Sequence, residues 1–310
     1  MGDHGKKSIP NHIMAQSVLI RVKIVELKKS DGGGMRQGML WAAILGLSVV
    51  LAGCTGVGYD FSDIKPEKPS APAISSSGSP ISNPRFGDRK PHPWGKHAPW
   101  TYAIHGTDVS KYQTSVDWHQ AKSAGISFVF IKATEGGDRL DDKFHQHWRQ
   151  AKAAGIPRGA YHFYYFCRPA REQAQWFIRN VPKEANSLPH VLDMEWNHKS
   201  PTCKLRPPAE TVRAEMRVFL DMLERHYGKR PIVYTTIDFF DRNELASFKG
   251  NDWWLRSVAA HPDDLYGKHP FLFWQYTGTG EVPGIAGDAD INVFNGTASR
   301  WRNWLRSHGG

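Results

Sequence analysis

Cysteine is scarce, with 3 in 310 residues. So small a supply excludes a scaffold built on many disulfides, and no CxxC or paired His/Cys spacing accompanies it, which removes the usual zinc patterns. His105, His162, His190 and His198 show no HExxH-type ligand spacing, so no metal and no other cofactor is implied. No apolar run reaches the ~20 residues that span a bilayer. Dense basic stripes, nucleic-acid motifs and internal repeats are also missing, so nucleic acid is not an expected partner. The formal charge is +10 but uneven: residues 1–53 hold 7 Lys/Arg against 3 Asp/Glu, leaving 33 against 27, or +6, for the remainder. That surplus suits an anionic polymer without naming one. Aromatics are plentiful, with 12 Trp, 10 Tyr and 15 Phe. Most fill a core, although flat rings also stack on sugar faces.

The N-terminal region reads as an address. From Met35 the chain runs MRQGMLWAAILGLSVVLAGC: Arg36 supplies a short positive region, and Met39 to Leu51 an uncharged apolar stretch. Residues 35–53 thus have the pattern of a secretory signal peptide. The ending Leu51-Ala52-Gly53-Cys54 resembles the lipobox of bacterial lipoproteins, in which the Cys is diacylated. Lipid on Cys54 would hold the protein at a membrane surface. The expected location is therefore exported and membrane-anchored on the periplasmic face. Thr55 stands where an Asp favours inner-membrane retention, which favours the outer membrane. Residues 1–34, polar and ahead of a signal, are expected to be an over-long leader with Met35 as the true start. Residues 54–100 are rich in Pro, Ser and Gly and read as a flexible tether.

Residues 101–308 are expected to form one domain. Short apolar runs alternate with amphipathic stretches, giving candidate strands at Ala103–Asp108, Ser127–Ala133, Gly159–Phe166, His190–Trp196, Pro231–Thr235, Trp253–Leu255, Phe271–Tyr276 and Ala289–Phe294. Helices are clearest at Asp141–Ala154 and Pro208–Tyr227; in the latter Val212, Met216, Phe219, Leu220 and Leu223 form one apolar stripe. This pattern predicts an α/β fold, a TIM-like (β/α) barrel that is irregular in its second half. Cys167 follows the third strand and Cys203 the fourth, on loops at the same end of neighbouring strands. A disulfide between them is expected in an exported protein, the alternative being two free thiols.

The segment His190-Val191-Leu192-Asp193-Met194-Glu195-Trp196 carries the chemistry. Residues i and i+2 of a strand face one side, so Asp193 and Glu195 point together, into the barrel mouth if this is the fourth strand. Two adjacent acids repel, which raises the pKa of one and prepares a general acid. The competing reading is a strand end whose acids meet solvent or cations. Asp108 ends the first strand and Asp290 lies on the last; in a closed barrel these strands are neighbours, so both can join the same pocket. Lone acids at strand ends are also often caps or turn residues.

At these residues the chain resembles glycoside hydrolase family 25, the Chalaropsis-type lysozymes or N-acetylmuramidases. The likeness runs from about Tyr102 to Trp304. It rests on Gly106-Thr107-Asp108-Val109-Ser110 with Asp117-Trp118, on Phe130-Ile131-Lys132-Ala133-Thr134-Glu135-Gly136, and on Gly159-Ala160-Tyr161-His162-Phe163. Asp193-Met194-Glu195, Pro231-Ile232-Val233-Tyr234-Thr235, Trp274-Gln275-Tyr276 and Asp290-Ile291-Asn292-Val293-Phe294 follow in order. The resemblance implies cleavage of the β-1,4 bond between N-acetylmuramic acid and N-acetylglucosamine in peptidoglycan. It implies that Glu195 protonates the leaving oxygen and that Asp193 serves as nucleophile or orients the substrate's acetamido group. Asp108 and Asp290 complete the acidic pocket. Tyr161, Tyr234, Trp254, Gln275 and Glu135 match positions lining the groove, with barrel packing, or for Glu135 an ion pair with Lys132, as the plainer role. The chain departs from the family's pattern at Trp253–Ala260 and in the cysteine-bearing stretch around Lys199–Arg206.

The expected partners are peptidoglycan glycan strands and, through Cys54, a membrane; a monomer is the default state. Three other readings compete: a glycosidase acting on another N-acetylhexosamine polymer, a non-catalytic peptidoglycan-binding lipoprotein, and a metal-dependent hydrolase that uses the acids as ligands.

Overall fold

The apolar runs close into an eight-stranded barrel in the computed structural model, which describes residues 84–308. The barrel strands are β1 (His105–Val109), β2 (Ile126–Glu135), β3 (Arg158–Phe163), β4 (Val191–Met194), β5 (Ile232–Thr236), β6 (Trp253–Arg256), β7 (Phe273–Glu281) and β8 (Ala289–Phe294). Strands β1 to β7 pair in parallel in chain order. Strand β8 runs antiparallel to both β7 and β1 and closes the ring. The reversal has a simple cause. A parallel crossover needs a dozen or more residues, and only residues 282–288 separate β7 from β8. The irregular second half is therefore present, and its main feature is a hairpin in place of the last β/α unit.

Helices cover the outside: α1 (Trp118–Ala124), α2 (Phe144–Ala153), α3 (Ala170–Asn180), α4 (Ala209–Tyr227), α5 (Ile237–Arg242), α6 (Pro262–Leu265) and α7 (Ala298–Ser307). In α4 the apolar stripe is buried as its spacing requires, and Tyr227 joins it. Each such large side chain contributes roughly 1.5–3 kcal/mol on burial. Gly228 ends the helix at φ 72°, in the left-handed region that suits a glycine stop.

Two cores result. One lies between the barrel and the helices, with Ile131, Leu192, Val233, Phe177 and Phe219 among its members. The other fills the barrel and includes Phe128, Phe130, Trp254, Phe273 and Phe294. Helix α7 seals the barrel's lower end: Trp301 stacks on Trp304 at 5.4 Å and lies 5.4 Å from Phe128 and 5.0 Å from Phe294.

Composition assigns residues 54–100 to the tether, but residues 84–100 are held against the barrel. Gly87 and Asp88 pair with Glu281 and Gly280 of β7. Trp94 meets Trp274 edge-on at 5.1 Å, and Phe86 meets His105 at 5.7 Å. A few aromatics anchor a stretch whose Pro and Gly content alone suggests a loose chain. The disulfide Cys167–Cys203 is formed, with Cα atoms 5.8 Å apart. The signal segment and Cys54 lie outside the described residues, and none of the described helices is long and apolar enough to cross a membrane.

Candidate active site

Side chains facing the barrel interior recur every second residue and build layers. Phe128 and Phe130 of β2, Trp254 of β6 and Phe273 of β7 pack ring to ring, at 5.0 Å for Phe128–Phe273 and 4.8 Å for Phe130–Trp254. Gly106 of β1 leaves them space: a Cβ there would lie 2.5 Å from the Phe128 ring. Two residues further along each strand the lining turns polar. Asp108, Lys132, Tyr161, Asp193, Tyr234, Arg256 and Gln275 all face a groove of about 800 Å³, and Asp290 of the reversed strand joins them. The groove opens at the C-terminal end of the parallel strands, where barrel active sites sit.

All four acids expected from the sequence meet there. Asp108 and Asp290 are direct partners across the β1–β8 pairing. Burial raises the Asp108 pKa to about 6, against lowering by Asn292, Gln275 and Arg256. Its Oδ2 accepts from Gln275 Nε2 at 2.9 Å and from Asn292 Nδ2 at 2.8 Å. Both amides are held from behind: Tyr234 donates its hydroxyl to Gln275 Oε1 at 2.9 Å, and Trp254 Nε1 donates to Asn292 Oδ1 at 2.8 Å. An indole N–H can only donate, so Asn292 must turn its oxygen to Trp254 and its NH₂ to Asp108.

Asp193, in β4, has a buried Oδ1 with no hydrogen-bond partner. Burial, then the charge of Glu195, pushes its pKa well above the ordinary 3.8. Asp290 is raised likewise, by burial and then by Asp108. Glu195, one residue beyond β4 and partly exposed, is raised by burial, with Asp238 and Asp108 adding to the rise while Arg256 and Lys132 oppose it. The four acids therefore do not all ionise together, the condition for one of them to donate a proton near neutral pH while others stay charged. Tyr161, half-buried beside Asp108, Asp193 and Asp290, has its hydroxyl held well above the ordinary value by burial and by those charges.

The other expected lining residues divide by role. Gln275 and Tyr234 touch the groove and also hold Asp108. Trp254 reaches the groove, but its ring packs against Phe130 and Tyr234 and its N–H is spent on Asn292. Glu135 accepts from Lys132 Nζ and from the Tyr165 hydroxyl, both at 2.8 Å. Burial works to raise its pKa, yet Lys132 and these hydrogen bonds hold it below the ordinary value. The ion pair anticipated for Glu135 therefore exists within the groove wall. A β-bulge makes it possible: the β2–β3 register slips between Lys132 and Thr134. The slip turns both Lys132 and Glu135 to the groove.

Sequence reading passed over Lys132, Arg256 and Asn292 as site residues. Each sits two positions from a residue that faces the barrel interior or the groove: Lys132 from Phe130, Arg256 from Trp254, and Asn292 from Asp290. Strand alternation was the signal that could have found them.

The family model for Glycosyl hydrolases family 25 matches residues 107–285. The "Uncharacterized protein YegX" of Escherichia coli O157:H7 is 35% identical over 217 residues, covering 68% of this chain and 77% of that protein. "Lysozyme M1" of Streptomyces globisporus is 36% identical over 216 residues, covering 64% and 70%. A solved family 25 glycosyl hydrolase from Bacillus anthracis superposes with a TM-score of 0.60 at 34% identity, covering 70% of this chain and 98% of that one.

Proposed function

The chain belongs to glycosyl hydrolases family 25, and from that footing we propose that it is a lysozyme cutting the β-1,4 bond between N-acetylmuramic acid and N-acetylglucosamine, with Glu195 as general acid. One observation carries the assignment: four acids converge in a single groove, and Glu195, raised in pKa and partly open to solvent, stands two positions beyond the buried Asp193 at the C-terminal end of β4. A protonated Glu195 gives its proton to the departing glycosidic oxygen. Its carboxylate then takes a proton from the incoming water and restores the starting state.

Asp193 serves the opposite half of the reaction, either attacking the anomeric carbon or steadying the substrate's 2-acetamido group as it attacks. Asp193 lines the groove beside Glu195, which suits either role. A glycan whose muramic acid lacks the N-acetyl group separates the two: direct attack tolerates that substrate, and acetamido participation does not. Asp108, held by Gln275 and Asn292, and Asp290 beside it supply negative potential for the positive charge that develops at the anomeric carbon.

Labelling of newly formed reducing ends tests the reaction. Digestion of purified sacculi should expose muramic acid ends, while chitin oligomers should be poor substrates. Glucosamine ends, or faster cleavage of chitin, would overturn the muramidase reading.

The placement of the enzyme belongs to the same proposal. The signal pattern at residues 35–53 and the lipobox at Cys54 support an exported, lipid-anchored protein on the periplasmic face of the outer membrane. Cys54→Ala should move the protein from the membrane to the soluble fraction; an unchanged membrane fraction would count against the anchor.

A further inference from the structure

The loop from Trp196 to Pro208, joining β4 to α4, is the part of the groove wall that continues directly from Glu195. Lys199, Lys204 and Arg206 are all exposed on it, and no Asp or Glu lies between Glu195 and Glu210. None of the three cations takes part in an ion pair among the described residues, whereas Lys132 in the same groove is committed to Glu135. The loop is also fixed in place. Cys203 ties it to Cys167 beyond β3, and the Ser200 hydroxyl accepts from the Cys203 backbone N–H at 2.9 Å. Arg206 donates to His198 Nδ1 at 2.9 Å and lies over the Trp196 ring at 5.1 Å. A small cavity of about 110 Å³, bounded by Trp196, His198, Lys204 and Arg206, adjoins the groove.

Such a loop presents positive charge at a set position beside the reacting atoms. The bond to be cut leaves the anomeric carbon of N-acetylmuramic acid, so the sugar bound at Glu195 is the one carrying a lactyl-linked stem peptide. That peptide bears free carboxylates. We infer that the disulfide-stapled loop is a specificity element that binds the anionic stem peptide through Lys199 and Lys204, so that peptide-bearing glycan is preferred over bare glycan. The inference rests on the muramidase reading. Charge complementarity supports it: the loop itself carries no acid, Lys199 lines the groove beside Glu195, and Lys204 borders the adjoining cavity.

The test compares kcat/KM of the full-length protein on soluble glycan fragments with stem peptides and on the same fragments stripped by an amidase. Exposed cation–carboxylate pairs of this kind give a preference of roughly three- to tenfold for the peptide-bearing form. The preference should shrink between about 50 and 500 mM NaCl as screening grows. In Lys199→Gln/Lys204→Gln the ratio should fall toward one, through a higher KM for peptide-bearing fragments. Equal use of both substrates by the wild type, a salt-independent preference, or an unchanged ratio in the double variant would overturn the inference. Cleavage of neither substrate by the wild type would remove the muramidase reading itself, an outcome distinct from equal cleavage of both.

Discussion

Trp254 carries a ring nitrogen that only donates, and that restriction passes through Asn292 to Asp108. Replacing Asn292 by Ala removes one donor from Asp108 and leaves the indole N–H unpaired. The Asp108 pKa should then rise above about 6, moving the acid limb of the kcat/KM profile to higher pH, and stability should drop by about 1–3 kcal/mol. A pH–rate profile and a urea melt read both effects. Asp193 presents the opposite case. Its pKa lies well above 3.8 in the folded protein, so folding favours its protonated form. That contribution is complete below the unfolded value and is lost as pH rises through the folded one. Asp193→Asn should therefore be more stable than wild type by a margin that widens from about pH 4 upward, while activity is lost. Thermal melts across pH check the sign; a margin that narrows with rising pH would contradict it. The acids were legible in the sequence because period-two alternation puts Asp193 and Glu195 on one face. Gln275 was named as a lining residue through the family resemblance, but its hold on Asp108, and Asn292 altogether, were not legible, because they depend on how β8 registers against β1 and β7.

At the scale of elements, two irregularities shape the groove. The bulge in β2 places Lys132 and Glu135 on one wall, and the reversal of β8 sets Asp290 opposite Asp108. The eight strands could be read from their apolar runs, and α4 from its stripe. The bulge could not, since it depends on the β3 partner. The anchoring of residues 84–100 escaped notice for a similar reason: Phe86 and Trp94 find their partners on β1 and β7 only once β8 has paired with both strands and closed the barrel. The Cys167–Cys203 bridge was expected from strand order together with an exported compartment, with two free thiols as the alternative. It closes a separation of 36 residues, and removing it as Cys167→Ser/Cys203→Ser should cost about 2–4 kcal/mol in a urea titration. A change below a few tenths of a kcal/mol would mean that the loop is held without it.

The whole molecule divides its labour between two ends of one barrel. Helix α7 closes the lower end with Trp301, which is buried against Phe128 and Phe294, and the acids open at the upper end. Trp301→Ala should cost about 3–5 kcal/mol of stability. KM should be unchanged at temperatures where the variant remains folded; a raised KM there would show that the two ends are coupled. The central claim is that Glu195 supplies the proton for glycosidic cleavage, and one comparison tests it most directly. Reducing-end release from purified sacculi is measured for the wild type and for Glu195→Gln, which keeps the shape of the side chain but cannot donate that proton. General acid catalysis is worth about 10²–10⁴-fold, so the account predicts a loss of that size with binding to sacculi retained. Wild-type rates in Glu195→Gln would contradict it.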